Sequence, residues 1–270
     1  MDATVSALFI YPVKSCRGIA LETSAVEARG LANDRRWMIV DDQDLFVTQR
    51  SEPRLAQVEV ALESDAVVLR APDLPALRLP RSQPGASARR RVTVWKDEVD
   101  ALDCGDDARQ WMTRWLGSPA SLVYMPDDVR RPVKPAYSLP SDSVSFADGF
   151  PLLVASTASL DDLNARLDRP LPMDRFRPNV VVTGTPAWDE DAWRRIQVGP
   201  IPIRIPKPCD RCVITTTDQR TGERGVEPLR ALAAFRRWDG KVFFAQNGVP
   251  DLAGSIAVGD PVTILDRQCK

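Results

Sequence analysis

The stretch Lys207-Pro-Cys-Asp-Arg-Cys212 is where residue types and spacing point most directly to chemistry. A thiolate binds soft metals and attacks electrophiles, and cations such as Lys207 and Arg211 favour it over the thiol. The chain contains no histidine. That removes Ser-His and Cys-His dyads, histidine metal sites and histidine general bases together. An enzyme built on it draws its reactivity from a bound cofactor, with the protein supplying position and electrostatics. Structural zinc needs about four Cys or His ligands, and one Cys-x-x-Cys does not supply them. A thioredoxin-like dithiol opens a helix after a parallel strand, whereas this pair precedes the β-rich Val213-Ile-Thr-Thr-Thr217. Two inert buried thiols remain the plain alternative.

Basic clusters elsewhere could serve the same site. Tyr11-Pro-Val-Lys-Ser-Cys-Arg-Gly18 ends a strand with a lysine, a hydroxyl and a glycine turn, parts suited to phosphate or another anion. A solvated loop with a snorkelling lysine is its bland reading. Arg175-Phe-Arg-Pro-Asn179 carries two arginines that share a side if the segment is extended, and Asp34-Arg-Arg-Trp37 adds more at a strand mouth. Such arginines are usually solvated or salt-bridged, so only their convergence makes a site. Phe243-Phe-Ala-Gln-Asn247 offers two amides for a ligand or a turn cap. P-loop, Rossmann and nucleophile-elbow motifs are missing.

Positioning these groups falls to a mostly β chain. The first 75 residues read as hairpins: Val5 to Val13, Arg36 to Val40 turning into Leu45 to Gln49, and Val58 to Leu62 turning into Ala66 to Arg70. That spacing suggests an antiparallel barrel. A loop over Pro80 to Arg91 leads to strand Arg91 to Trp95. Trp111, Trp115 and Leu116 after Asp106 and Asp107 predict an acid-capped amphipathic helix with core tryptophans. Past the Pro-rich Pro126 to Pro140, Phe150 to Ser156 leads into a helix over Ser159 to Leu167. Strands follow at Asn179 to Thr183, Arg195 to Val198, Ile201 to Ile205, Val213 to Thr217, Val242 to Ala245 and Pro261 to Leu265, with a helix over Leu229 to Phe235. Pro206 and Pro208 turn the chain out of its sheet, leaving both cysteines on a turn. The expected class is α+β, mostly β, with two β-barrel-like domains over 1–122 and 123–270 and a few packed helices.

The 36 Lys and Arg balance 37 Asp and Glu, so no global field recruits nucleic acid or an anionic membrane. No run of about 18 apolar residues spans a membrane, and the start lacks a secretory pattern. Five irregularly spaced cysteines fit reduced thiols, and a cytoplasmic location is expected.

Taken in order, Tyr11 to Cys16, Asp34 to Trp37, Arg175 to Asn179, Cys209-Asp-Arg-Cys-Val-Ile-Thr-Thr216 and Val258-Gly-Asp-Pro261 resemble the molybdenum cofactor sulfurase C-terminal (MOSC) proteins that also carry a MOSC N-terminal β-barrel. Within these the chain is similar to the mitochondrial amidoxime-reducing component and its bacterial relatives. The resemblance implies a molybdenum cofactor (molybdopterin) between the two domains, with Cys212 as metal ligand. Lys14, Ser15, Arg35, Arg177 and Asn179 match positions that grip the pterin and its phosphate. Asp148, Gly149 and Phe150 fall on a short loop at the metal, where the mitochondrial relatives carry small hydroxyl residues in place of Gly-Phe. Cys209 receives no ligand role. The implied activity is two-electron removal of oxygen from N-hydroxylated small molecules such as hydroxylamines and amidoximes. Water or a carboxylate such as Asp148 would deliver protons. No ferredoxin-like cysteine cluster follows, so a separate donor of ferredoxin, flavin reductase or cytochrome type is implied. A cofactor carrier or sulfur-transfer module, or a binding protein for a ligand like pyridoxal phosphate, are the other functions considered.

Overall fold

The first strand, Thr4–Ile10, buries Val5, Leu8 and Ile10 in one core although Val5 and Leu8 lie three residues apart. An irregularity in its pairing between Val5 and Ala7 resets the two-residue alternation. In this computed structural model, which describes residues 2–81 and 88–268, the strand does not stay with its own half of the chain. It pairs antiparallel with Val180–Thr183, Leu8 opposite Val180, and with Ile19–Leu21. The middle of the loop expected between Pro80 and Arg91 (82–87) and Cys269 lie outside the described residues.

The resulting nine-stranded sheet forms a half-barrel. Its strands run in the order Val262–Arg267, Trp193–Val198, Ile201–Asp210, Lys241–Pro250, Leu152–Ser156, Val180–Thr183, Thr4–Ile10 and Ile19–Leu21, with Arg237–Trp238 added on Lys241–Pro250. Val154, Val180, Trp193, Ile196, Ile203 and Leu8 fill its core. A second crossing of the chain's halves joins Gly254–Ala257 to Thr23–Glu27 and Gly30–Leu31.

A four-stranded sheet runs Trp37–Asp41, Ala120–Tyr124, Asp97–Asp103 and Arg89–Val94, and a three-stranded one Glu59–Leu62, Ala66–Arg70 and Leu77–Pro80. Helix Asp106–Leu116 seats Trp111, Met112 and Leu116 on their shared core, and Trp115 is partly buried there. The mostly β class holds, with three α-helices among the described residues.

Four local expectations change. The helix cap is Gly105, not an acid; Asp106 and Asp107 sit in the first turn, where the helix dipole favours them. Leu45 to Gln49 forms only isolated bridges, because the Asp41 carboxylate accepts the N–H groups of Gln43 and Leu45 and tightens the turn. Val213–Thr216 is a 3-10 turn, with the Thr215 and Thr216 hydroxyls donating to the carbonyls of Cys212 and Val213. The strand from Ile201 does not stop at Ile205 but continues through both prolines to Asp210.

Candidate active site

The prolines are tolerated in that strand because its neighbour Trp193–Val198 pairs with it only as far as Arg204. Beyond Arg204 one edge is free, and the other shifts register between Arg204 and Lys207 and again between Pro208 and Asp210. Asn247 Nδ2 donates to the carbonyls of Lys207 and Pro208 at this irregularity. Gln246 Nε2 donates to Asp191 at 2.8 Å. Both amides therefore hold protein groups rather than a ligand or a turn cap.

Cys209, still on the strand, packs with the cluster of Phe176 and Phe244. Burial raises its thiol pKa against the pull of Arg211, whose Nη1 lies 3.0 Å from the sulfur. Arg211 also donates to Phe176 O at 2.7 Å, and Lys207 Nζ approaches Asp210 at 3.3 Å. The cations adjacent in sequence are thus engaged with Cys209, Phe176 and Asp210. Cys212 ends the segment half-buried, immediately before the 3-10 turn.

A cation that interacts electrostatically with Cys212 comes instead from the other half of the chain. Burial lowers the pKa of the Arg50 guanidinium, and Asp148 and Cys212 raise it more, leaving it above its ordinary value. Arg50 Nη2 donates to Asp148 Oδ2 at 3.0 Å, while Nη1 is buried with no hydrogen-bond partner. Asp148 Oδ1 accepts from Lys14 Nζ at 2.5 Å and from Trp95 Nε1 at 3.2 Å. Lys14 Nζ further donates to Phe146 O at 2.7 Å. Burial lowers Lys14 to about 8, with Asp148 opposing. The Asp148 side chain is half exposed; its partial desolvation would raise the pKa, but Lys14 and Arg50 together hold it well below the usual carboxylate range. Asp148 therefore anchors two cations, Lys14 and Arg50.

A second cluster forms around the buried Tyr11 ring. Arg35 lies 4.5 Å from the ring centroid and Arg177 4.1 Å. Gly18 makes room for the ring, since a Cβ there would come within 2.5 Å of it. Tyr11 donates to Pro178 O through its hydroxyl and to Asp34 through its N–H. Arg35 binds the Asp34 carboxylate, Asn179 Oδ1 and Arg177 O. Asn179 Oδ1 also accepts from Leu153 N, and its Nδ2 donates to Phe9 O. Burial lowers Arg177 to about 10, Tyr11 acting in the other direction. The Arg175-to-Asn179 segment is not extended: it leaves a 3-10 turn over Met173–Arg175 and holds Arg177 at φ 56°. The two guanidiniums still reach one segment: Arg175 binds Thr216 O and Asp218, and Arg177 binds Gln219.

Gln49 and Gln219 join the two clusters through a reciprocal amide pair, 3.0 Å in each direction. Gln49 Nε2 also donates to Ser15 O at 2.7 Å, and Arg224 secures the carbonyls of Gln49 and Arg50. Lys14, Ser15, Arg35, Asp148, Arg177 and Asn179 are all linked this way. Gly149 continues from Asp148, but the Phe150 ring packs with Val133, Val144 and Ala147 and meets Tyr137 edge-on. Gln49, Arg50, Trp95 and Gln219 escaped the sequence reading. A Gln-Arg pair closing a strand-like run is a faint signal, and nothing local marks the other two.

The MOSC N-terminal beta barrel domain matches residues 2–119 and the MOSC domain residues 141–263. Human mitochondrial amidoxime-reducing component 1 is 36% identical, covering 98% of this chain and 83% of that protein. Human mitochondrial amidoxime reducing component 2 is 34% identical, covering 96% and 82%. Among solved structures, the YUAD protein of Bacillus subtilis aligns at 12% identity and TM-score 0.46, covering 97% of this chain and 94% of that one. No helix among the described residues is long and apolar enough to cross a membrane.

Proposed function

The chain belongs to the MOSC family, carrying the N-terminal β-barrel domain ahead of the MOSC domain, and from that premise we propose that it is a molybdenum-cofactor-dependent reductase of N-hydroxylated small molecules. The observation that carries this reading is the Lys14–Asp148–Arg50 chain of ion pairs, whose Arg50 end interacts electrostatically with the half-buried Cys212. We retain the division at 1–122 and 123–270, with the first strands of one half completing sheets of the other.

The residues fit the cofactor. Among the described residues no three His, Cys, Asp or Glu side chains converge on a point, so a metal held by Cys212 would need further ligands from a cofactor. A pterin dithiolene is a soft partner for a thiolate-bound metal. The unpartnered Arg50 Nη1 is a buried charged donor, suited to an oxygen-bearing ligand or substrate. Arg177, hydrogen-bonded through one nitrogen to Gln219, is the cation suited to the pterin phosphate. Arg35 holds its backbone carbonyl and is itself held by Asn179, and Lys14 and Ser15 join the network through Asp148 and Gln49.

When bound, the molybdenum cofactor supplies the two-electron chemistry that cleaves the N–O bond, giving an amine or amidine and water with electrons from a separate donor protein. This chain's part is to hold the substrate oxygen within reach of Arg50 and to move protons. Lys14 Nζ, at about 8, is the group able to release and recover one near neutrality. The proposed setting is the cytoplasm, a reducing compartment that keeps the thiol available.

The test uses protein made in cells that synthesise the cofactor, given reduced viologen and benzamidoxime. Consumption with formation of benzamidine is expected. A protein that retains the cofactor but consumes nothing is a carrier or sulfur-transfer module, and the reductase reading is then wrong.

A further inference from the structure

Trp95 is the first of the two residues connecting strands Arg89–Val94 and Asp97–Asp103, and its φ is 59°. The left-handed region strains a bulky side chain, and the first position of such a short loop ordinarily goes to Gly, Asn or Asp. The conformation carries the indole to the site. Nε1 donates to Asp148 Oδ1 at 3.2 Å, and the Arg50 guanidinium lies 4.6 Å from the ring centroid. Phe46, tilted 5.1 Å away, stands under Lys14. Pinned by these contacts, the side chain of Trp95 still leaves the residue 46% exposed. Nearly half of the residue's surface thus stays accessible beside Arg50, which covers part of the ring. Strain maintained at such a place points to a use other than packing.

We propose that Trp95 is a specificity-determining residue, a platform on which planar conjugated N-hydroxylated substrates stack while their N–OH group reaches Arg50 and Cys212. This rests on the reductase reading and narrows its substrates to those with a flat π-system next to the N–O bond. Offset stacking on an indole rewards a ring and does little for a small aliphatic group of the same N–OH chemistry.

The experiment compares benzamidoxime with acetamidoxime on cofactor-loaded wild type, Trp95→Leu and Trp95→Phe, with molybdenum content measured for each. For Trp95→Leu, KM for benzamidoxime should rise about tenfold and KM for acetamidoxime should change less than about twofold. Trp95→Phe, which also lacks the N–H bonded to Asp148, should restore the wild-type ratio of the two KM values. Benzamidoxime added to oxidised protein without a donor should quench wild-type tryptophan fluorescence saturably, and Trp95→Phe fluorescence much less. Equal KM changes for both compounds, or a Phe variant as impaired as the Leu variant, would show that Trp95 acts only by holding Asp148 and would overturn the platform. Wild type that consumes neither compound would remove the reductase reading, and the platform with it. Active wild type whose variants do not discriminate would remove the platform alone.

Discussion

The Lys14 ammonium and the Asp148 carboxylate meet at 2.5 Å, tying the end of the chain's first strand to the loop before Leu152–Ser156. Arg50 completes the arrangement from Asp148's other oxygen. A carboxylate whose folded pKa is depressed contributes stability that is present above its ordinary value of about 4 and lost as pH falls below it.

Asp148→Asn should therefore lower stability at pH 7 by about 1–2 kcal/mol, the half-exposed carboxylate being partly screened. At pH 3 the difference should be smaller than at pH 7, the unfolded carboxylate taking up its proton first. Urea unfolding of both proteins at the two pH values measures this; a difference independent of pH contradicts the account.

Asn179 matches a cofactor-gripping position, yet its side chain is occupied by Arg35, Leu153 N and Phe9 O. Asn179→Ala should cost about 2–4 kcal/mol even without cofactor, since it strands buried donors and acceptors. Unfolding of cofactor-free protein checks it. Normal stability with poor cofactor retention would assign Asn179 to direct binding instead.

Glu190 is fully buried and neither carboxylate oxygen has a hydrogen-bond partner. Burial pushes its pKa up to about 7. A carboxyl raised in the folded state binds its proton more tightly there, so stability declines as pH rises from about 4.5 through about 7, by up to about 3 kcal/mol. Glu190→Gln removes this titration. The stability of the variant relative to wild type should be greater at pH 8 than at pH 5, and an equal offset at both would show that Glu190 does not titrate in this range.

Much of this architecture was legible because it is written locally. Helix Leu229–Phe235 and strand Ala66–Arg70 follow from apolar spacing and flanking turns. The strand through Pro206 and Pro208 was not legible, because proline tolerance depends on a free edge that only tertiary pairing reveals. The same limit applies to the site. Cys212 stands out by its motif, but Arg50 and Trp95 acquire meaning only when separate loops are folded onto Asp148. Lys207 and Arg211, beside the cysteines in sequence, are engaged with Asp210, Cys209 and Phe176.

The central claim, that Cys212 is the protein's ligand to molybdenum, is tested most directly by metal analysis of wild type and Cys212→Ala purified from cells that make the cofactor. Wild type should hold close to one molybdenum per chain and the variant, folded as judged by circular dichroism, almost none; equal molybdenum in both would contradict the assignment.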